Sequence, residues 1–349
     1  METINPDIIA QRKQINWQHF IQHINSSNRI LLTAHQRPDG DCLGSELAMF
    51  HILTCLGKTV RILNHHTLPP SLAFLDPSCQ VMGVEQMTDE MRDWLSGIDL
   101  ILILDTGVWS QLGDIGQIIR ESNAIKLVLD HHESWDDLGV NEWFVDSSAE
   151  ATGILVAQAA DALGVELNYD IAFPIFVSIV TDTGWFAYSS INSNTFRTTA
   201  RLLDAGVIPA KIYKEIYEKN SIGRIRLIGK TLANVESFFD GKLMYANIML
   251  DDFNITGALN SETDGLSSML LKVNNSQVSL LVTELDNGSF KLSFRSRSDN
   301  IDCNKIAKQF AGGGHKKAAG ATLTLTYEET KKQAINAIEK EIRNSELGI

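Results

Sequence analysis

Three aliphatic runs in this sequence each end in a residue that can bind a metal ion. They are residues 29–35, 100–105 and 125–130, and they end in His35, in Asp105 and in Asp130 followed by His131 and His132. Short apolar runs bounded by polar residues are typical of buried strands. In open parallel sheets, ligands bind beyond the carboxyl ends of the strands. The sequence therefore predicts a sheet that brings imidazoles and carboxylates together at one edge.

The order of the predicted elements indicates the fold class. Strand and helix patterns alternate as far as residue 180, which favours an α/β domain with a mostly parallel sheet. Successive helical patterns follow over residues 195–239, and from residue 241 strands are mixed with helices. We therefore predict a mostly parallel α/β domain over residues 1–207, a helical connector over residues 208–240, and a smaller α/β or α+β domain over residues 241–349.

Charge and composition argue against several classes of protein. The 349 residues carry a formal net charge of −13, which is unlike a protein that coats long nucleic acid with a basic face. A short anionic substrate is compatible, because bound divalent cations would reverse the local field. Four scattered cysteines without a Cys-x-x-Cys pair favour a reducing compartment. No apolar run approaches 18 residues, so we expect a cytoplasmic protein without a membrane partner.

Further candidate ligands follow the first run and a later apolar segment. The pattern His35-x-x-x-Asp39-x-Asp41 crosses a strand end and a turn, so one imidazole and two carboxylates can converge there. The alternative is structural, with Asp39 as a turn residue and Asp41 as a helix cap. Asp182 follows a stretch that is apolar on nearly every side, and a charge in that position needs a partner or a metal ion.

Together these positions form an oxygen-rich set of six candidate metal ligands. They are His35, Asp39, Asp41, Asp105, His131 and Asp182. Many carboxylates with few imidazoles suit Mn²⁺ better than structural zinc, with Mg²⁺, Co²⁺ and Fe²⁺ as weaker alternatives. Six ligands suit two ions about 3.5–4 Å apart that share one carboxylate. Such a pair indicates a metal-dependent phosphoesterase.

A basic, glycine-rich segment lies in the predicted second domain. Over residues 291–320 there are seven basic residues against two acidic ones, a local balance of +5. The run Gly312-Gly313-Gly314-His315 can point several backbone N–H groups at one anion, and Arg295 can form a forked contact with a phosphate. The alternatives are a structural glycine turn and a solvated basic surface. We expect a substrate clamp, with metal ions and anion site on separate domains.

These motifs, in this order, resemble those of the DHH phosphoesterases. The matching segments are His35-x-x-x-Asp39-Gly-Asp41, Asp105-Thr106, Asp130-His131-His132, Thr181-Asp182-Thr183-Gly184, Phe294-Arg295-Ser296 and residues 312–320. The last two resemble the signature of the DHH-associated C-terminal domain. The resemblance spans about residues 29–327. It is strongest to the two-domain branch of bacterial oligoribonucleases that degrade nanoRNA, several of which also act on 3′-phosphoadenosine 5′-phosphate.

The resemblance implies roles for individual residues. His35, Asp39 and Asp105 would hold one manganese ion, and Asp41, Asp105, His131 and Asp182 would hold the other, with Asp105 as the bridge. His132 would face the scissile phosphate, and Asp130 would orient a histidine. Arg295, Gly312, Gly313, Gly314 and His315 would bind the substrate.

The expected activity is Mn²⁺-dependent hydrolysis of short oligoribonucleotides to nucleoside 5′-monophosphates. Hydrolysis of 3′-phosphoadenosine 5′-phosphate to AMP is a second expected activity. The alternatives are a phosphodiesterase for pApA or cyclic di-AMP and, from another class, a nucleotide sensor without catalysis. Complete ligands argue against the sensor. Long duplex nucleic acid is not an expected partner, and the sequence leaves the oligomeric state open, with a homodimer as one alternative.

Overall fold

The computed structural model describes residues 15–133, 135–187, 191–314 and 316–347. The chain divides into two compact units, Met1–Glu218 and Lys219–Ile349. This division falls inside the segment 208–240, and the three domain bounds stay a prediction. Among the described residues, no helix has both the length and the apolar character needed to span a bilayer.

The first unit is built on a parallel sheet. Its strands are β1 (Arg29–Thr33), β2 (Thr59–Asn64), β3 (Val81–Gly83), β4 (Leu100–Leu104), β5 (Ile125–Asp130) and β6 (Glu142–Val145). Within the described residues the strand order is β3-β2-β1-β4-β5-β6, and every neighbouring pair is parallel. The predicted α/β class is therefore confirmed. The short strand β3 lies in a segment for which the sequence predicts only helices and loops.

Helices cover both faces of this sheet. They are α1 (Trp17–Ser26), α2 (Gly40–Cys55), α3 (Asp89–Leu95), α4 (Trp109–Leu112), α5 (Ile115–Glu121), α6 (Thr152–Leu163), α7 (Tyr169–Asp182), α8 (Ser193–Asp204) and α9 (Pro209–Tyr217). Side chains alternate along β4, so that Leu102 packs in the core with α2, α6 and α7 while Ile103 packs in the core with α3 and α5. Burial on both faces explains why the central strands are continuous apolar runs.

The register of the sheet brings the predicted ligands to one edge. Thr33 lies beside Ile103, and Leu104 lies beside Leu129. The next residues along β1, β4 and β5 therefore leave the sheet at a common level. Because parallel strands end at the same side, residues distant in sequence converge there.

Two glycines allow α2 to approach α7 closely. A Cβ atom at Gly40 would lie 2.5 Å from the side chain of Thr181, and one at Gly44 would overlap the carbonyl oxygen of Pro174. Both positions therefore need a residue without a side chain. This contact places the start of α2 beside the end of α7, where Asp182 lies.

The second unit contains a mixed sheet with its own helices. Its strands are β7 (Glu236–Phe238), β8 (Leu243–Ile248), β9 (Val278–Glu284), β10 (Phe290–Ser296), β11 (Gly313–Gly314) and β12 (Ala318–Leu323). Its helices are α10 (Ile222–Ala233), α11 (Leu250–Thr256), α12 (Leu266–Leu270), α13 (Cys303–Lys308) and α14 (Tyr327–Leu347). The strand order is β11-β12-β10-β9-β8-β7 among the described residues, and only the pairing of β8 with β9 is parallel there.

Two local predictions for the second unit are wrong. Residues 236–238 form a strand where the sequence predicts helix, because they pair with β8 at the edge of the sheet. For the last strand the apolar pattern of the sequence predicts residues 321–327, whereas the strand begins at Ala318 and ends at Leu323. Its start is set by pairing with Arg295 of β10 and with the glycine strand β11.

Candidate active site

The turn between β1 and α2 carries the first three candidate ligands. Asp39 is the N-cap of α2, and its Oδ1 accepts hydrogen bonds from the backbone N–H groups of Asp41 and Cys42 at 3.0 and 3.1 Å. The structural alternative that made Asp41 the cap is therefore wrong. Capping fixes the carboxylate of Asp39 near the imidazole of His35, with 3.8 Å between Oδ1 and Nε2.

Asp105 lies between two groups of candidate ligands. It follows β4 with a φ of +59°, a left-handed conformation that is rare outside glycine. Its Oδ2 lies 3.5 Å from Nε2 of His35, and its Oδ1 lies 3.6 Å from Nε2 of His131. The residue is 2% exposed. Its two oxygens therefore face opposite sides of one buried site.

Asp41 is held by the beginning of α6 and by two serines. Its Oδ2 accepts the backbone N–H of Thr152 at 2.8 Å, and its Oδ1 accepts that of Gly153 at 3.2 Å. The hydroxyls of Ser178 and Ser45 donate to the same Oδ1 at 2.5 and 3.2 Å. Unpaired N–H groups and the dipole at a helix N-terminus favour a negative charge there.

Sequence reasoning did not find these supporting residues. Thr152 also donates its hydroxyl to Oδ1 of Asp105 at 2.8 Å. Ser178 is fully buried within the apolar helix α7, one turn before Asp182. A lone polar residue in that position is the signal that could have indicated a hydrogen-bonding role.

His131 faces three carboxylates. Its Nδ1 donates to the backbone carbonyl of Ala149 at 3.1 Å, which leaves Nε2 directed at the acidic side chains. That Nε2 lies 3.6 Å from Asp41 Oδ2 and 3.7 Å from Asp182 Oδ2. A backbone partner on the second ring nitrogen is usual for a metal-binding histidine.

Three groups of these side chains bring one ligand atom per residue within 4.8 Å of one another. They are His35, Asp39 and Asp105; Asp41, His131 and Asp182; and Asp105, His131 and His132. We call the four carboxylates of Asp39, Asp41, Asp105 and Asp182 the acidic edge. Carboxylates packed this closely repel one another unless cations or protons lie between them. The donor set fits divalent cations that prefer oxygen with some imidazole.

The pKa values show the same electrostatic conflict. Burial and the charge of Asp41 raise the pKa of Asp105 to about 8, and burial raises the pKa of Asp182 to about 6. Burial opposes the charge on His35, but contacts with Asp105 and Asp39 outweigh it and raise its pKa to about 10. Protons thus neutralise part of the acidic edge, and cations would displace them.

His132 and Asp130 form a pair beside this edge. Nδ1 of His132 donates to Oδ1 of Asp130 at 2.8 Å, and the backbone N–H of His132 donates to the same oxygen at 3.1 Å. Burial opposes the charge on His132, but the bond to Asp130 outweighs it and raises the pKa to about 9. The bond to Asp130 therefore favours the protonated imidazole, whose side chain is 39% exposed.

The second unit holds the remaining predicted site residues. Residues 312–320, which we call the glycine hairpin, contain β11 and the start of β12. A Cβ at Gly312 would overlap the carbonyl oxygen of Gly320, whereas one at Gly313 would meet no atom within 4 Å. Arg295 pairs with Ala318 and donates from its guanidinium to the carbonyl of Phe294 at 3.3 Å. The predicted His315 lies outside the described residues.

A polar depression of about 540 Å³ lies at the same end of β10 as Arg295. Lys242, Gln277 and Arg297 contribute to its lining. Arg297 directly follows Ser296, the last residue of β10. Two arginines, Arg295 and Arg297, therefore lie at this end of β10.

Comparison with known proteins identifies the family. The model of the DHH family, N-terminal domain, matches residues 29–177, and the model of the DHHA1 domain matches residues 241–344. The bifunctional oligoribonuclease and PAP phosphatase NrnA of Thermus thermophilus is 30% identical over 319 residues, with 90% of each chain covered. The chain belongs to the DHH family. It is thus a phosphoesterase, and the metal dependence of DHH enzymes agrees with the acidic edge.

Two further relatives of this DHH protein agree over nearly the whole chain. The bifunctional oligoribonuclease and PAP phosphatase NrnA of Bacillus subtilis is 26% identical over 307 residues, covering 87% of this chain and 92% of its own. The crystal structure of an exopolyphosphatase-related protein from Bacteroides fragilis superposes with a TM-score of 0.88 at 25% identity, covering 95% of this chain and 96% of its own. The predicted resemblance to DHH phosphoesterases is confirmed.

Proposed function

We propose that this DHH phosphoesterase hydrolyses short oligoribonucleotides to nucleoside 5′-monophosphates with two divalent cations, and that these are Mn²⁺. The observation that carries the proposal is the position of Asp105, whose two oxygens face two groups of candidate ligands. The substrate class is supported by the relatives of Thermus thermophilus and Bacillus subtilis, whose names describe them as oligoribonucleases.

The proposed metal centre uses the acidic edge together with His35 and His131. One ion would be held by His35, Asp39 and Asp105, and the other by Asp105 together with Asp41, His131 and Asp182. The donor set is rich in carboxylates and poor in imidazoles, which suits Mn²⁺. When bound, the ions would activate a water molecule and polarise the phosphate as Lewis acids.

His132 and Asp130 are proposed to act on the phosphate itself. A cationic imidazole that is partly exposed can donate a hydrogen bond to a phosphate oxygen and stabilise the charge that develops there. The 2.8 Å bond from His132 to Asp130 fixes the ring and keeps it protonated. Asp130 is 1% exposed, so its role is to position His132.

The glycine hairpin and Arg295 are proposed to hold the nucleotide. Close packing against β12 explains the glycine at position 312 but not the one at position 313, where a side chain would meet open space. A glycine without a steric reason inside the protein is expected where a ligand approaches the backbone. Arg295 supplies the positive charge for a phosphate, and His315 is proposed as a further donor.

One set of assays tests this proposal. The purified protein is incubated with Mn²⁺, Mg²⁺ or Zn²⁺ and with di- to decaribonucleotides, and the release of mononucleotides is followed. We expect the highest rates with Mn²⁺ and with oligomers of about two to five units, because the substrate is bound at its end. Equal rates for dimers and decamers, or an optimum with Zn²⁺, would contradict the proposal.

PAP phosphatase activity is a second candidate, because the same two relatives carry it in their names. The panel therefore includes 3′-phosphoadenosine 5′-phosphate, with pApA, cyclic di-AMP and pyrophosphate as competing substrates. Release of phosphate from 3′-phosphoadenosine 5′-phosphate would support the second activity. Turnover of none of these compounds in any metal would favour a nucleotide sensor.

A further inference from the structure

Glu46 is a buried carboxylic acid that the proposed mechanism does not use. It lies on α2, two turns into the helix from Asp39, and it is 0% exposed. No basic residue contacts it among the described residues, and burial raises its pKa to about 8. A leucine would fill such a position in the core without leaving a polar group to satisfy. A carboxyl group in that position needs a polar partner.

That partner is Asn64, the last residue of β2. Oε2 of Glu46 accepts a hydrogen bond from Nδ2 of Asn64 at 2.8 Å. The other end of the amide, Oδ1 of Asn64, accepts the backbone N–H of Ala34 at 2.9 Å and the hydroxyl of Thr33 at 3.3 Å. Because the N–H of Ala34 can only donate, the amide must face it with its oxygen and must face Glu46 with its nitrogen. Glu46 therefore supplies the acceptor that fixes the orientation of Asn64.

This chain of contacts ends next to a candidate metal ligand. Backbone pairing between β1 and β2 extends only to Leu32 and Ile62. Beyond that point the backbone N–H of Ala34 donates to the side chain of Asn64 instead of to a neighbouring strand. Ala34 directly precedes His35. Thr33, Ala34 and Asn64 are all fully buried, so these hydrogen bonds are protected from water. α2 carries Asp39 and Asp41 at its start and Glu46 farther along.

We infer that Glu46 is a positioning residue that acts through Asn64 to hold His35 at the correct distance from Asp39 and Asp105. The inference rests on the proposed metal-binding role of His35. It assigns no contact with substrate or metal to Glu46. Its effect should be confined to the ion held by His35, because the ligands of the other ion are fixed by α6 and Ser178.

Isothermal titration of Mn²⁺ into the full-length protein tests the inference. The variants are Glu46→Leu, which removes the acceptor, and Glu46→Gln, which keeps one. We expect Glu46→Leu to weaken one of the two binding events at least ten-fold and to leave the other within about three-fold, as is typical when a residue that supports a metal ligand is lost. Glu46→Gln should bind both ions like the wild type. Activity of Glu46→Leu should recover at high Mn²⁺.

The matched control is Glu142→Leu. Glu142 also accepts hydrogen bonds within the first unit, from His19 and His23, but it lies at the start of β6, away from the carboxyl edge of the sheet. This variant should bind both ions normally. Asn64→Leu and the double variant Glu46→Leu/Asn64→Leu complete a cycle, and the double variant should be no worse than Asn64→Leu if Glu46 acts through Asn64.

Several results would overturn the inference. Unchanged affinity in Glu46→Leu, equal weakening of both ions, or additive losses in the double variant would each contradict it. Should Glu46→Leu not fold, Asn64→Ala breaks the same link from the other side, and normal binding by that variant would also contradict it. A wild-type protein that binds fewer than two ions would contradict the proposed metal centre instead, so the two failures are distinguishable.

Discussion

The acidic edge of the first unit and the glycine hairpin of the second unit differ in how their polar groups are held. Asp41 alone accepts four hydrogen bonds from groups within the protein. At the hairpin, Gly313 and Gly314 are exposed, and the guanidinium of Arg295 reaches the neighbouring carbonyl of Phe294. Carboxylates forced together in a buried site need a rigid frame, because their repulsion would otherwise spread them apart. The exposed glycines of the hairpin instead leave open space beside the backbone.

The largest expected effect comes from Asp105, which faces both proposed ion sites. Asp105→Asn keeps the size of the side chain but removes its charge, so the two proposed ions would no longer share a charged carboxylate. We expect kcat to fall at least about a thousand-fold on every substrate, which corresponds to about 4 kcal/mol. The control is Asp93→Asn on the exposed side of α3. Near-normal turnover by Asp105→Asn would refute the bridging role.

A smaller loss of function is expected when a hydrogen bond that holds a candidate ligand in place is removed and the ligand itself is kept. Ser178→Ala removes the hydroxyl that donates to Asp41 and accepts the N–H of Gly153 at 3.0 Å. We expect Mn²⁺ affinity, measured by calorimetry, to fall about 10- to 100-fold. Ser148→Ala removes an exposed hydroxyl that donates to Asp146, and this variant should bind Mn²⁺ normally. Equal Mn²⁺ affinities of Ser178→Ala and Ser148→Ala would show that the hydrogen bonds of Ser178 do not control metal binding.

The third prediction separates the two regions by substrate. Arg295→Ala should lose at least ten-fold in kcat/KM on dinucleotides, since a lost charge-assisted contact costs about 2–5 kcal/mol. Cleavage of a generic chromogenic phosphodiester and Mn²⁺ binding should remain. Lys291→Ala, four residues earlier on the same strand, removes an equal charge and should have little effect. The same split is expected for His315→Ala. Equal losses of kcat/KM on dinucleotides and on the generic phosphodiester would contradict separate roles for the two regions.

The smallest expected effect concerns two glycines of the hairpin. Gly312→Ala would force a Cβ into the carbonyl of Gly320, so we expect the second unit to lose about 1–3 kcal/mol of stability. Gly313→Ala has room and should keep its stability within about 0.5 kcal/mol, while its KM for dinucleotides rises. Thermal unfolding and dinucleotide kinetics measure the two effects. If Gly313→Ala lost stability and kept its KM for dinucleotides, Gly313 would have a structural role and not a role in substrate binding.

The sequence predicted the strand ends near the candidate ligands better than the turn that follows the first of them. Strand ends near His35, Asp105 and Asp130 were predictable because apolar runs stop there and because parallel strands share one carboxyl edge. The structural alternative placed the cap of α2 at Asp41, whereas Asp39 is the cap, since both aspartates precede a helical pattern. Local propensity does not decide between two neighbouring caps when the backbone geometry of the turn is unknown.

The supporting residues could not be predicted, because their partners are far away in sequence. Asp41 and Ser178 are 137 residues apart, and Glu46 acts on β1 through Asn64, 18 residues away on another strand. Neither Ser178 nor Glu46 belongs to a motif that spacing would indicate. Each became recognisable only once its buried partner was visible.

The sequence by itself determined the fold class, the order of the candidate ligands and the family, because each depends on local patterns that short segments carry. Only the tertiary structure decided which oxygen of Asp105 faces which histidine, that the beginning of α6 holds Asp41, and that packing explains Gly312 but not Gly313. These features depend on distances between segments that meet only after folding. Hydrogen bonds and steric contacts act over a few ångströms, so a sequence pattern cannot reveal them before the chain has brought their partners together.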